Sequence, residues 1–140
     1  MRRLPRPGIV GLAVVTAVLV NLVLYAVGRA AGGTFRFTTP QGPAEVDALT
    51  VAGFSAVPLL LGLAAVALLA PLAGWISRVA TVVGAALAVV TIAVMTLPAD
   101  LDATSKTILA LCHLTLVPII VVAVPALDPR RRDGPSRSAA

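Results

Sequence analysis

Four long runs of apolar residues dominate the pattern along the chain, and few charged positions interrupt them. They cover residues 9–28, 51–72, 78–97 and 107–127. A helix needs about 20 mostly apolar residues to cross a bilayer, so each run is long enough to span it once. The pattern predicts an all-α integral membrane protein, with a single four-helix transmembrane bundle over residues 1–127 and a tail over residues 128–140.

The second and third runs follow each other closely, and the stretch between them predicts a tight turn. Pro71 and Gly74 break helices there. Trp75 suits the headgroup level of a membrane, and Arg78 would cost about 2.5 to 3.5 kcal/mol at the centre of a spanning helix. We therefore expect two helices joined at a membrane interface and not one long helix.

The loop between the first two runs is the longest connection and covers residues 30–49. Its centre reads PQGP, and Phe35, Phe37 and Val46 flank that turn signal. Alternating strand-forming residues on either side of a Pro/Gly turn predict a short β-hairpin. The alternative is an irregular loop whose two Phe rings rest at the lipid interface.

The composition excludes a soluble globular protein. Hydrophobic residues make up 59% of the chain and charged residues 12%, against about 25% charged residues in a typical soluble domain. The net charge of +5 comes from basic residues at the chain ends and at the ends of the apolar runs. That distribution indicates membrane topology, so we expect the lipid bilayer as a partner and no nucleic acid.

The basic residues also predict an orientation. With the N-terminus in the cytoplasm, eight of them lie on the cytoplasmic side and three, Arg29, Arg36 and Lys106, on the other. The positive-inside rule then places both termini in the cytoplasm and the protein in the bacterial plasma membrane as a multi-pass protein. The first run has an apolar core longer than the roughly 7 to 15 residues of a signal peptide, which favours a retained anchor.

The tail over residues 128–140 is basic, and we expect it to be disordered in the cytoplasm. Contact with anionic lipid headgroups is one interpretation, and a role as a topology signal alone is the favoured one.

A few polar residues inside the apolar runs fall in the half of the bundle nearer the long loop. A polar side chain that faces lipid has no hydrogen-bond partner, so we expect these residues to face one another inside the bundle. Thr115 is expected to point away from His113, so it is not counted in the predicted polar cluster. The predicted intramembrane cluster consists of Asn21, Tyr25, Ser55, Thr91 and His113.

His113 is the only histidine of the chain, and it allows two interpretations. It is a hydrogen-bonded packing residue, or it relays protons. No Asp or Glu lies inside any run, which favours packing. Adjacent Cys112 and His113 point about 100° apart on a helix, so they do not form a metal site or a nucleophile–base pair. We predict no catalytic residue, no cofactor and no metal.

Four stretches carry a family resemblance through their order and spacing. They are NLVLYAVGRAAG (Asn21–Gly32), TTPQGPAEV (Thr38–Val46), VPLLLG (Val57–Gly62) and LCHLTL (Leu111–Leu116). Together, over residues 9–124, the chain resembles a family of small actinobacterial four-helix membrane proteins that is known only as a domain of unknown function. The resemblance implies a multi-pass plasma-membrane protein and carries over no activity or site residue.

Two functional hypotheses follow. The first is a non-enzymatic structural or accessory protein that acts through a membrane-protein partner or as a homo-oligomer. The alternative is a small transporter or channel that uses the polar cluster. A membrane enzyme is disfavoured because no catalytic set is present. Small residues at Ala80, Gly84 and Ala88 allow close helix contact, either within one bundle or between two copies.

Overall fold

We describe the fold from a computed structural model, which covers residues 4–129. Four helices and one β-hairpin follow in the order α1 (Arg6–Ala30), β1 (Arg36–Thr39), β2 (Gly42–Glu45), α2 (Ala48–Leu69), α3 (Ile76–Thr91) and α4 (Ala103–Leu127). A five-residue π-helical turn, Ile92–Thr96, continues α3. The predicted four helices and the predicted hairpin are confirmed, whereas the tail over residues 130–140 lies outside the described residues.

The helices alternate in direction, so the bundle has two distinct ends. The hairpin and the α3–α4 connection lie at one end, which we name the hairpin end. The α2–α3 turn lies at the other, which we name the terminal end, and there the Ser77 hydroxyl donates to the carboxylate of Asp128 at 2.8 Å. That buried hydrogen bond joins the start of α3 to the end of α4.

All four helices begin earlier than their apolar runs, and α4 and α1 show the reason. α4 begins at Ala103 because Asp102 caps it, accepting a hydrogen bond from the Ser105 amide at 2.9 Å. α1 begins at Arg6, with Pro7 in its first turn, where proline has no helical hydrogen bond to lose. The predicted starts at residues 107 and 9 are too late because a hydrophobicity window ignores polar first turns.

The apolar core fills the half of the bundle nearer the terminal end. There α1 packs against α2 and α4, and α3 packs against α4, whereas α2 and α3 contact each other much less. The core residues are Ala13, Ala17, Leu59, Leu63, Val66, Ala70, Ile120, Ala123, Val124 and Leu127. This half of the interior is therefore closed by hydrocarbon side chains.

The outside of the bundle is as apolar as its interior. All four helices, counting α3 together with the π-turn, are long and apolar enough to cross a membrane, and most residues of each span lie at the surface. Leu61, Leu68 and Val122 are 65%, 76% and 72% exposed. Lipid tails are as apolar as leucine, so these side chains need no protein cover in a bilayer.

The small residues of α3 face α4 within the bundle. A Cβ atom at Gly84 would lie 3.2 Å from Cγ2 of Ile120, and Ala88 is buried. Packing inside one chain therefore uses this face, and a homo-oligomer stays a prediction.

The hairpin is a two-stranded antiparallel sheet whose register runs from Arg36↔Glu45 to Thr39↔Gly42. Just before β1, Phe35 adopts a left-handed backbone conformation (φ 56°), and its side chain is fully buried. The ring enters between α1 and α4, against Gly28 and Ile108, and lies 4.7 Å from the ring of Tyr25 between centroids. Phe35 thus anchors the hairpin to the bundle.

Gly28→Ala should weaken this anchor. A Cβ atom at Gly28 would lie 2.7 Å from Cζ of Phe35 and 2.8 Å from Cγ1 of Ile108, closer than carbon atoms approach. We expect a loss of about 1 to 3 kcal/mol in the free energy of unfolding, as for other overpacked sites. The control is Gly62→Ala on α2, where no atom lies within 4 Å. Equal thermal unfolding of both variants in detergent would contradict the anchor.

Candidate functional site

A hydrogen-bonded group centred on Asn21 joins three helices in the half nearer the hairpin end. Asn21 of α1 is 1% exposed. Its Nδ2 donates to the hydroxyl of Ser55 on α2 at 2.8 Å and to the backbone carbonyl of Cys112 on α4 at 3.2 Å. Its Oδ1 accepts from the hydroxyl of Thr115 on α4 at 2.7 Å. We name Asn21, Ser55, Cys112 and Thr115 the Asn21 group.

Donors and acceptors match throughout the Asn21 group. The Cys112 carbonyl can only accept, so the amide nitrogen of Asn21 has to face it. The Ser55 hydroxyl donates its proton to the carbonyl of Val51 at 2.7 Å and is left as an acceptor for Asn21. Three helices are thus joined by one amide, and no polar atom of this group is left without a partner.

Thr115 belongs to the group, and its exclusion at the sequence level was wrong. Cys112 and Thr115 are three residues apart on α4, so they share a helix face, whereas His113 lies about 100° away from Cys112. The i, i+3 spacing from Cys112 was the available signal. The rotation of α4 decides which of the two polar residues meets Asn21, and the sequence does not give that rotation.

His113 bonds within its own helix. Its Nδ1 lies 2.7 Å from the backbone carbonyl of Leu109, one turn earlier on α4. A carbonyl oxygen only accepts, so this bond places the proton on Nδ1. The ring makes no hydrogen bond to Asn21, yet it lines the same cavity.

That cavity has a volume of about 260 Å³ and lies between α2, the π-turn and α4, below the hairpin. It brings together four of the five predicted polar residues: Asn21, Ser55, Thr91 and His113. Its remaining walls are mainly apolar and include Val51, Phe54, Met95, Leu101, Leu109 and Leu116. The arrangement suits a small molecule that is largely apolar and carries a polar group.

Two of the predicted residues, Tyr25 and Thr91, do not offer a free polar group to the cavity. Tyr25 does not line the cavity, because one turn beyond Asn21 the space beside α1 is filled by Phe35, on which the tyrosine ring packs. Thr91 lines the cavity but donates its hydroxyl proton to the carbonyl of Leu87 at 2.6 Å.

The hairpin arm is tied to the start of α4 by a second set of hydrogen bonds. Asp102 accepts from the backbone amide of Thr34 at 3.0 Å and from its hydroxyl at 2.7 Å. The Ser105 hydroxyl accepts from the amide of Phe35 at 2.8 Å and donates to Asp102 at 2.7 Å. Asp100 accepts from the amide of Thr38 at 2.8 Å. We name Asp100, Asp102 and Ser105 the acidic clamp.

These hydrogen bonds stabilise ionised carboxylates. The bonds from Ser105 and then from Thr34 hold the pKa of Asp102 well below its ordinary value of 3.8. Bonds from Thr38 likewise lower the pKa of Asp100. Both acids lie in the short connection between the third and fourth runs, and Asp102 three positions before Ser105 fits a helix N-cap.

The side chains around the cavity offer hydrogen-bond donors and acceptors. Among residues 4–129 there is no group of three His, Cys, Asp or Glu side chains that could hold a metal ion. Cys112 is buried, and its Sγ contacts the backbone carbonyl of Asn21 at 3.9 Å. The site therefore offers hydrogen bonds beside an apolar space.

A comparison with known families covers the site and all four helices. The model of a family of unknown function (DUF6069) matches residues 1–131. The chain belongs to the DUF6069 family. No curated protein and no solved structure matches it. The family resemblance drawn from residues 9–124 is confirmed, and the match extends over residues 1–131. The family description states no activity.

The acidic clamp of this DUF6069 protein should make its stability fall in acid. The pKa of Asp102 is lower in the folded than in the unfolded chain, so the stabilisation is present at neutral pH and is progressively lost as the pH falls below the ordinary value of 3.8. We expect the difference in thermal midpoint between the unaltered chain and Asp102→Asn to shrink from pH 7 to pH 3. Other acids titrate in both proteins and cancel. A constant difference would contradict the clamp.

Proposed function

We propose that this DUF6069 protein is a non-enzymatic accessory protein of the bacterial plasma membrane that acts through a protein partner. In this proposal both termini are cytoplasmic and the hairpin end faces outward, as the distribution of basic residues predicts. The hairpin presents the surface that the partner contacts.

The proposal rests on the way in which hydrogen bonds attach the hairpin to the helices. Backbone amides of Thr34, Phe35 and Thr38 bond to the acidic clamp. The Arg29 guanidinium donates to the Thr34 carbonyl at 3.0 Å and to the Glu45 carboxylate at 2.8 Å, joining the end of α1 to both arms. A loop held this firmly on rigid helices is preorganised, which lowers the entropy lost on binding a partner.

The hairpin tip stays open to contact. Pro40, Gln41 and Pro43 are exposed, and so are Arg36 and Thr38 on β1. The tip is therefore a small exposed surface that carries polar groups at one end of a largely apolar molecule.

A small transporter or channel is the second candidate, and the cavity favours it. Asn21, Ser55, Thr91 and His113 give that cavity a polar side within the bundle. Toward the terminal end, however, Leu63, Val66 and Leu127 belong to the apolar core. Carriage of a polar solute would require that core to open, so the accessory role needs fewer changes of conformation.

Site-specific photocrosslinking tests the partner. A photoreactive amino acid replaces Gln41 at the hairpin tip, and the matched control replaces Leu72, which is exposed in the α2–α3 turn at the terminal end. After irradiation of native membranes we expect one discrete protein adduct from position 41 and a different pattern from position 72.

A proton-flux assay with liposomes that contain the purified chain distinguishes the accessory role from the transporter. The accessory role predicts no proton flux above that of empty liposomes. Flux that Cys112→Ala retains and His113→Ala abolishes, together with no adduct from the tip, would establish the transporter instead.

A further inference from the structure

The Thr96 hydroxyl opens onto the cavity and has no hydrogen-bond partner among the described residues. Thr96 is 4% exposed and lines the cavity, yet its Oγ1 bonds to no atom within residues 4–129. No fully buried side-chain nitrogen or oxygen atom among residues 4–129 lacks a partner, so Thr96 Oγ1 is open to the cavity and not sealed in the core. Inside a bilayer there is no bulk water for such a hydroxyl, and it therefore points to a ligand that completes the bonding.

Thr96 lies in the π-turn, and its hydroxyl makes no bond to its own helix. Elsewhere in the helices, Thr81, Thr91 and Thr107 each donate to the carbonyl four residues earlier. At the π-turn the amide of Leu97 bonds to the carbonyl of Ile92 at 2.9 Å, five residues back. This wider turn changes the position of Thr96 relative to the preceding turn. Single π-turns inside helices occur frequently at functional sites.

His113 contributes a second unpaired atom. Because Nδ1 carries the proton that is donated to Leu109, the neutral ring has Nε2 as an acceptor. In the part of the chain that the structure describes, Nε2 receives no hydrogen bond. The cavity therefore holds a hydroxyl that can donate and an imidazole nitrogen that can accept.

The walls restrict the charge and shape of a ligand. No Asp, Glu, Lys or Arg lines the cavity, so an ion would meet no counter-charge there and would lose its hydration. Phe54 of α2 and Met95 of the π-turn line the cavity and are themselves exposed, at 69% and 61%. The cavity thus opens sideways between α2 and α3, where lipid would lie in a membrane.

We propose that this cavity binds a neutral lipid alcohol. Its hydroxyl accepts a hydrogen bond from Thr96 and donates one to His113 Nε2, and its hydrocarbon chain leaves between Phe54 and Met95 toward the lipid. An apolar cavity of about 150 Å³ takes up a benzene-sized molecule, so 260 Å³ holds the head and first carbons of such a molecule. Phe37 of the hairpin lines this site, but the binding of a lipid alcohol there does not require the partner proposed to contact the hairpin tip.

Other ligand classes fit less well. A fatty acid or an amine would bring a charge into uncharged walls. A ketone or an ether could accept from Thr96 but has no proton for His113 Nε2. A hydroxyl satisfies both, because it donates and accepts at once.

The test uses the full chain in phosphatidylcholine nanodiscs. The probe is a hexadecanol analogue that carries a diazirine on its chain and a terminal alkyne, and labelled peptides are identified by mass spectrometry. We expect labels in the peptides that contain Phe54 and Met95, and competition by unlabelled hexadecanol. Hexadecyl methyl ether should compete about tenfold less well, the size expected for the loss of one hydrogen bond.

A matched pair of variants tests the contact itself. Thr96→Val removes the hydroxyl and should weaken labelling about tenfold. Thr16→Val alters an exposed position on α1, away from the cavity, and should leave labelling unchanged. If Thr96→Val does not fold, the competition on the unaltered chain decides.

Three results would overturn the proposal. The first is labelling spread evenly over the exposed helix surfaces, as a probe that only dissolves in the bilayer would give. The second is equal competition by the ether, or by hexadecanoic acid, and by the alcohol. The third is equal labelling of folded Thr96→Val and Thr16→Val.

Discussion

The hydrogen bonds of the Asn21 side chain are the constraint on which the rest of the bundle depends. Inside a bilayer there is no water for a polar group, so each one has to find its partners within the protein. Asn21 finds them on α2 and on α4, through Ser55, Thr115 and the Cys112 carbonyl. This fixes the rotation of three helices relative to one another. Toward the terminal end, apolar packing alone fills the interior.

The need for a hydrogen-bond partner within the protein divides the polar groups discussed above into paired and unpaired ones. Those that are paired hold the structure: the Asn21 group within the bundle, and the acidic clamp where the hairpin meets α4. Those that are unpaired, Thr96 and His113 Nε2, lie along one cavity at the π-turn. Structure and binding are thereby assigned to neighbouring but different side chains. The hairpin covers this region, so its attachment and the shape of the cavity depend on each other.

Much of the architecture could be predicted from the sequence, because run length gives the number of helices and PQGP gives the hairpin. Asn21 and Ser55 were predictable partners, since polar residues in apolar runs have to meet. Thr115 was not, because its contact depends on the rotation of α4. The contact of Asp102 with Thr34 was not predictable, because the two residues lie 68 positions apart in connections without a pattern that pairs them. Thr96 could not be found, since a π-turn leaves no pattern in the sequence that distinguishes it from an α-helical turn.

Thermal unfolding of Asn21→Ala in detergent micelles tests this dependence most directly, with Thr16→Ala on an exposed face of the same helix as the control. Interhelical hydrogen bonds in membranes contribute about 0.6 to 2 kcal/mol each. With three of them lost, Asn21→Ala should reduce the free energy of unfolding by about 2 kcal/mol or more, while Thr16→Ala leaves it nearly unchanged. Equal stability of the two variants would mean that the helices hold their places without Asn21.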